Sequence, residues 1–66
     1  MHVIVNGESR ALANALTIED FLRDLGVDSR KVAVELNLEI VPKSTFGTIN
    51  VRDGDRIEIV HFIGGG

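Results

Sequence analysis

Side chains able to do chemistry are few in this sequence. His2 and His61 are the only imidazoles, and strand alternation puts them on opposite faces. A metal site needs more ligands than such a pair supplies. Ser9, Ser29 and Ser44 have no suitably placed base in sequence, and a nucleophile without a base is inert. The carboxylates Glu35, Glu39, Asp53, Asp55 and Glu58 fall at outward or turn positions, where they read as a solvated acidic face or as part of a docking surface. Gly7 and Gly54 mark turns, and neither opens a helix as a phosphate-cradling loop requires. No cysteine is present, which removes disulfides and thiolate zinc sites. No catalytic residue, metal or cofactor is assigned, and the chain reads as a protein acted upon rather than as an enzyme.

What remains is the stretch Phe62-Ile63-Gly64-Gly65-Gly66. Three glycines add no side-chain packing and lose the most entropy on ordering, so a free tail is expected, narrow enough to thread a partner's channel. A terminal carboxylate has a pKa of about 3.5 and is ionised at neutral pH. It is a poor electrophile, because its leaving group would be oxide. Acyl chemistry there requires prior conversion to a mixed anhydride, for instance with AMP. On this reading Gly66 is the modified residue, Gly64 and Gly65 thread, and the folded part is a handle. The bland alternative is a frayed end or a linker without a role.

Sixty-six residues make one domain, expected over residues 1–63 with a tail at 64–66. With 44% hydrophobic and 26% charged residues, the chain is globular rather than disordered and must fold by packing alone. A net charge of −3 with scattered basic residues argues against nucleic-acid binding. The opening residues turn polar too soon for a signal peptide, and no apolar run approaches a membrane span, so a cytoplasmic location is expected.

The elements that must position the tail are legible. Residues 2–5 read as a strand carrying the apolar, β-branched Val3, Ile4 and Val5, and Asn6-Gly7 is a strong hairpin signal, with the returning strand over 8–12. Residues 13–16 carry no signal and read as a loop. Thr17 is an N-cap, with Asp20 as an imperfect capping-box partner. Ile18, Phe21, Leu22 and Leu25 then form one apolar helical face, closed by Gly26 and Val27 in a Schellman-type end. Val32, Val34 and Leu36 alternate as a strand, a turn leads to a short strand at Ile40-Val41, and Pro42 ends it. Residues 43–48 look irregular. Asp53-Gly54-Asp55 is a turn before a last strand over 56–62. This order predicts a two-layer α+β domain, a mixed sheet with one main helix on one face and the first and last strands parallel at its centre. The expected core is Val3, Val5, Ile18, Leu22, Leu25, Val34, Ile57 and Ile59.

Essentially the whole chain resembles the sulfur carrier family of thiamine biosynthesis (the ThiS family, of ubiquitin-like β-grasp fold). The resemblance rests on Val5-Asn6-Gly7-Glu8, on Val32-Ala33-Val34-Glu35-Leu36-Asn37 with Glu39-Ile40-Val41-Pro42, and on Asp53 to Val60 leading to Ile63-Gly64-Gly65-Gly66. One departure is Leu38, where a small or turn-forming residue is expected after Asn37. The resemblance implies that an E1-like adenylyltransferase activates Gly66 with ATP. It further implies that a donor such as a cysteine desulfurase supplies sulfur, and that the thiocarboxylate serves thiazole synthase. Sulfur is then held covalently, without a bound cofactor. The small subunit of molybdopterin synthase, a ubiquitin-like protein modifier and a β-grasp interaction module remain alternatives.

Val60 and Phe62 are apolar yet share the outward parity of Glu58, with Ile4 expected near them. Together they form the expected docking face for the activating enzyme and the sulfur acceptor, with Arg56, Glu35 and Glu58 setting orientation and encounter rate. The competing reading has Phe62 completing the core or packing in a homodimer.

Overall fold

The computed structural model of the chain describes residues 1–63; the expected tail, Gly64 to Gly66, lies outside the described residues. A five-stranded sheet is built from β1 (His2–Val5), β2 (Glu8–Ala11), β4 (Val32–Leu36), β5 (Glu39–Ile40) and β7 (Arg56–His61), in the order β2-β1-β7-β4-β5. β1 and β7 run parallel at the centre, and the other neighbours are antiparallel. The helix α1 (Ile18–Asp24) covers one face. A second, two-stranded sheet joins β3 (Leu16–Thr17) to β6 (Asn50–Val51) beside the start of α1.

Local chemistry sets each boundary. Asn6 and Gly7 both take positive φ, 49° and 84°, and Val5 faces Glu8, so the first hairpin closes through a two-residue turn. Thr17 Oγ1 accepts from the Asp20 N–H at 3.1 Å, satisfying one donor at the helix start. The reciprocal half of a capping box is absent, because the Asp20 carboxylate accepts from Arg23 instead. The loop before β6 takes two more donors, Ile18 N–H on the Ile49 carbonyl and Glu19 N–H on that of Phe46. At the other end Gly26 has φ 75°, its N–H reaches the Arg23 carbonyl and that of Val27 reaches Leu22. Those two bonds are the Schellman pair.

The buried core is Val3, Val5, Ile18, Phe21, Leu22, Val32, Val34, Val41, Phe46, Val51, Ile57 and Ile59. Leu25, the C-cap of the helix, is half-buried and packs against the edge of the core, beside a groove that Val5 and Ile59 also line. The stretches read as loop and irregular chain are only partly so. Leu16 joins β3, and the segment after Pro42 forms a 3₁₀ turn, Lys43–Thr45, that delivers Phe46 into the core. The short fourth strand sits one residue earlier than expected, at Glu39–Ile40. Two strands end one residue short, β2 at Ala11 and β7 at His61.

Candidate functional site

The site is the end of β7 and the sheet surface around it. β7 is central, bonded along its length to β4 from Val32↔His61 to Leu36↔Ile57. On its other side β1 stops at Val5, opposite Ile57, and leaves the second half of β7 without a strand partner there. Asn6 fills the gap. Its side-chain oxygen accepts from the Ile59 N–H at 2.7 Å, and its amide nitrogen donates to the Ile59 carbonyl at 3.2 Å. The turn residue thus extends the ladder by one rung.

Asn37 does the corresponding work at the other end. It too is left-handed, φ 52°, and its side-chain oxygen accepts from the Arg56 N–H at 2.9 Å while its amide donates to Asp55. Asp55 also accepts from the Arg52 N–H, and Asp53 accepts from that of His2. These two carboxylates order the turn that launches β7. From sequence these acids read as a solvated face or part of a docking surface, and the clamps are not legible; an asparagine in a hairpin signals a turn whether or not its side chain reaches a third strand.

Alternation gives β7 two different faces. Ile57 and Ile59 are buried beneath α1, while Glu58 and Val60 point away from it, as does Ile4 on β1. Val60 is 58% exposed and Phe62 53%, so Phe62 does not complete the core. Ile4 shares the face but not the patch. Its parallel partner is Arg56, four residues before Val60, or about 13 Å at the strand rise. The residues beside the exit are instead Val60, its cross-strand partner Ala33, and Phe62. Between this patch and Ile4 lie Arg56 and the directly opposed pair Glu35 and Glu58. Like charges facing each other across strands are mutually unfavourable. They favour any partner that brings a cation between them and disfavour a second copy of the same acidic face. Ile40, paired with Glu35 and strongly exposed, widens the apolar rim at the sheet edge.

The chain leaves β7 under three constraints. The Phe62 N–H donates to the Lys31 carbonyl at 2.9 Å, one rung past the β4 ladder. The Lys43 ammonium lies 4.7 Å from the centre of the Phe62 ring. The same ammonium donates to the Arg30 carbonyl at 3.0 Å. Arg30 is itself occupied by Asp28, whose carboxyl its hydrogen bonds hold down at about 2. Among the described residues, no carboxylate pairs with Lys31 or Lys43, which add positive charge near the exit.

His61 has the parity of the helix-side residues and His2 that of the outer face. His61 borders a shallow groove of about 320 Å³ between α1 and the first hairpin, lined also by Asn6, Arg10, Leu25 and Val27. Among the described residues no three potential ligands gather to hold a metal ion. Among the described residues no helix is long and apolar enough to cross a membrane.

A mixed sheet with one crossing helix and a central last strand running out into glycines is a β-grasp domain of the ubiquitin-like kind. The ThiS family model matches residues 3–66. A crystal structure of the thiamine biosynthesis protein ThiS from Geobacter metallireducens superposes with a TM-score of 0.88 at 35% identity, covering all of both chains. The sulfur carrier protein ThiS of Bacillus subtilis is 44% identical over 50 residues, 76% of each chain. A thiazole synthase of Paramagnetospirillum magneticum is 59% identical over all 66 residues. The chain spans only 20% of that protein's length, and the same share of a second thiazole synthase, from Magnetococcus marinus. The chain belongs to the ThiS family.

Proposed function

We propose that this chain is a sulfur carrier for thiamine (thiazole) biosynthesis and that Gly66 is its point of loading. The observation that carries the reading is the course of β7. The strand is locked from both sides, presents Val60 and Phe62 on its open face, and leads directly to Ile63-Gly64-Gly65-Gly66. The relatives named as sulfur carriers support the carrier role. The thiazole synthases that contain a stretch resembling this whole chain support thiazole synthase as the acceptor.

The chemistry belongs to partners. The Gly66 carboxylate attacks the α-phosphorus of ATP in an E1-like adenylyltransferase, and pyrophosphate leaves. The outer sulfur of a persulfide, charged by a donor such as a cysteine desulfurase, displaces AMP to give an acyl disulfide. A thiol then attacks the donor-side sulfur of that bond, leaves with it as a disulfide, and releases the thiocarboxylate. The chain's own contribution is to present the reacting end. Lacking any thiol, it keeps the sulfur from internal exchange.

Docking falls to the outer face beside the exit, Val60 and Phe62 with Ala33, while Glu58 and Glu35 await a cation from the partner. Phe62→Ser tests this. The half-exposed ring contributes little to the core, so the melting temperature should stay near wild type while the KM for adenylation rises. Lost stability with unchanged kinetics would remove the docking role. Deleting Gly66 tests the loading point. Sulfur transfer should cease with stability changed by less than about 0.5 kcal/mol. Full transfer by the truncated chain would overturn Gly66 as the loading point, and full function with Gly65 and Gly66 both deleted would favour a β-grasp interaction module.

A further inference from the structure

We infer that Lys43 is a positioning residue, clasping Phe62 so that the chain leaves the sheet in one direction. The inference rests on the proposed carrier role, in which the glycine end must find a narrow channel.

β7 ends at His61, and Phe62 is the first residue beyond the strand. Nothing in its own burial would hold it, since half of the residue is exposed. Two contacts nonetheless fix it. Its N–H is tied to the Lys31 carbonyl, which fixes the backbone. The Lys43 ammonium stands 4.7 Å from its ring centre, which fixes the side chain.

Lys43 is not a loose surface lysine. It opens the 3₁₀ turn that follows Pro42, and its ammonium is held on the Arg30 carbonyl. Arg30 in turn is kept in place by two side-chain hydrogen bonds to Asp28. The 3₁₀ turns at 29–31 and 43–45 are thus joined at the point where the chain leaves the sheet.

A cation over an aromatic face at an exposed site is a weak contact. Its use here is preorganisation: a residue already ordered costs the partner less to order on binding. The effect belongs in KM for the activating enzyme rather than in kcat, because Lys43 contacts Phe62, four residues before the reacting carboxylate in sequence. Losing a contact of this strength corresponds to about a two- to fivefold fall in kcat/KM.

The test uses the full chain with an E1-like adenylyltransferase and ATP, comparing Lys43→Met, Lys43→Arg and Phe62→Leu with wild type. Lys43→Met should raise KM about two- to fivefold with kcat and melting temperature unchanged. Lys43→Arg keeps the cation over the ring and should stay within about twofold of wild type. Independently of any enzyme, the Lys43 ε-methylene protons should show an upfield ring-current shift that Phe62→Leu abolishes. Wild-type kinetics in Lys43→Met, or equal damage in Lys43→Arg, would overturn the positioning role. Absence of the ring-current shift would overturn the clasp itself. Failure of the wild-type chain to be adenylated would count against the carrier role, while the proton shifts would still decide the clasp.

Discussion

Replacing Asn6 with glycine removes a side-chain amide that carries two hydrogen bonds to β7 and leaves the left-handed backbone undisturbed. Wild-type Asn6 sits at φ 49° and bonds both the N–H and the carbonyl of Ile59, at 2.7 and 3.2 Å. A hydrogen bond of this kind contributes about 0.5–1.5 kcal/mol net, so losing both costs about 1–3 kcal/mol. Glycine's greater freedom in the unfolded chain adds up to about 1 kcal/mol, opposed by relief of the left-handed φ, and these backbone effects nearly cancel. In a domain of this size a 2 kcal/mol loss lowers the melting temperature by roughly 8–16 °C. Urea unfolding measures the total, and amide hydrogen exchange at Ile59 reads the site, since that N–H loses its acceptor. Asn6→Ala should be worse than Asn6→Gly by about 1 kcal/mol, because alanine resists positive φ. A glycine variant within about 0.3 kcal/mol of wild type, with Ile59 as protected as before, would show that the amide bridge contributes nothing in solution and refute the reasoning.

Other outcomes follow from the same structure. Leu22→Ala opens a cavity beneath α1 at a position only 1% exposed, and should cost about 2–5 kcal/mol in urea unfolding. Leu38→Gly should raise stability by up to about 1 kcal/mol, because Leu38 is held at φ 72° with its side chain largely exposed; a clear loss in urea would show that the leucine packs. Asp28 should titrate at about 2 by carboxyl NMR, with the Arg30 hydrogen bonds as the cause. Its folded value lies below the ordinary 3.8, so the pair's contribution is complete above that pH and fades as pH falls toward 2; a midpoint near 3.8 would mean the pair is open in solution.

The helix was legible in the sequence because its signals are local and redundant. Thr17, the apolar spacing from Ile18 and the Gly26-Val27 end each mark it, and the structure uses all of them. The parallel pairing of the first and last strands followed from their order around one crossing helix. The two-residue strands β3 and β6 were not legible, since two residues carry no period, and their pairing is set by the loop that seats Phe46. Parity placed Ile4, Val60 and Phe62 on one face. It could not place Ile4 along that face, because the shift between β1 and β7 depends on where each hairpin closes. The Asn6 clamp and the Lys43 contact were hidden for a related reason: each joins residues far apart in sequence through one side chain, and neither changes the hydrophobic pattern.

The most direct test is an intact-mass measurement after incubation with ATP, an E1-like adenylyltransferase, a cysteine desulfurase with cysteine, and a thiol reductant. The account predicts a mass gain equal to exchange of one oxygen for sulfur, located by fragmentation at Gly66 and absent when ATP is withheld. Sulfur found at any other residue, or an isopeptide-linked product in place of the thiocarboxylate, would contradict it.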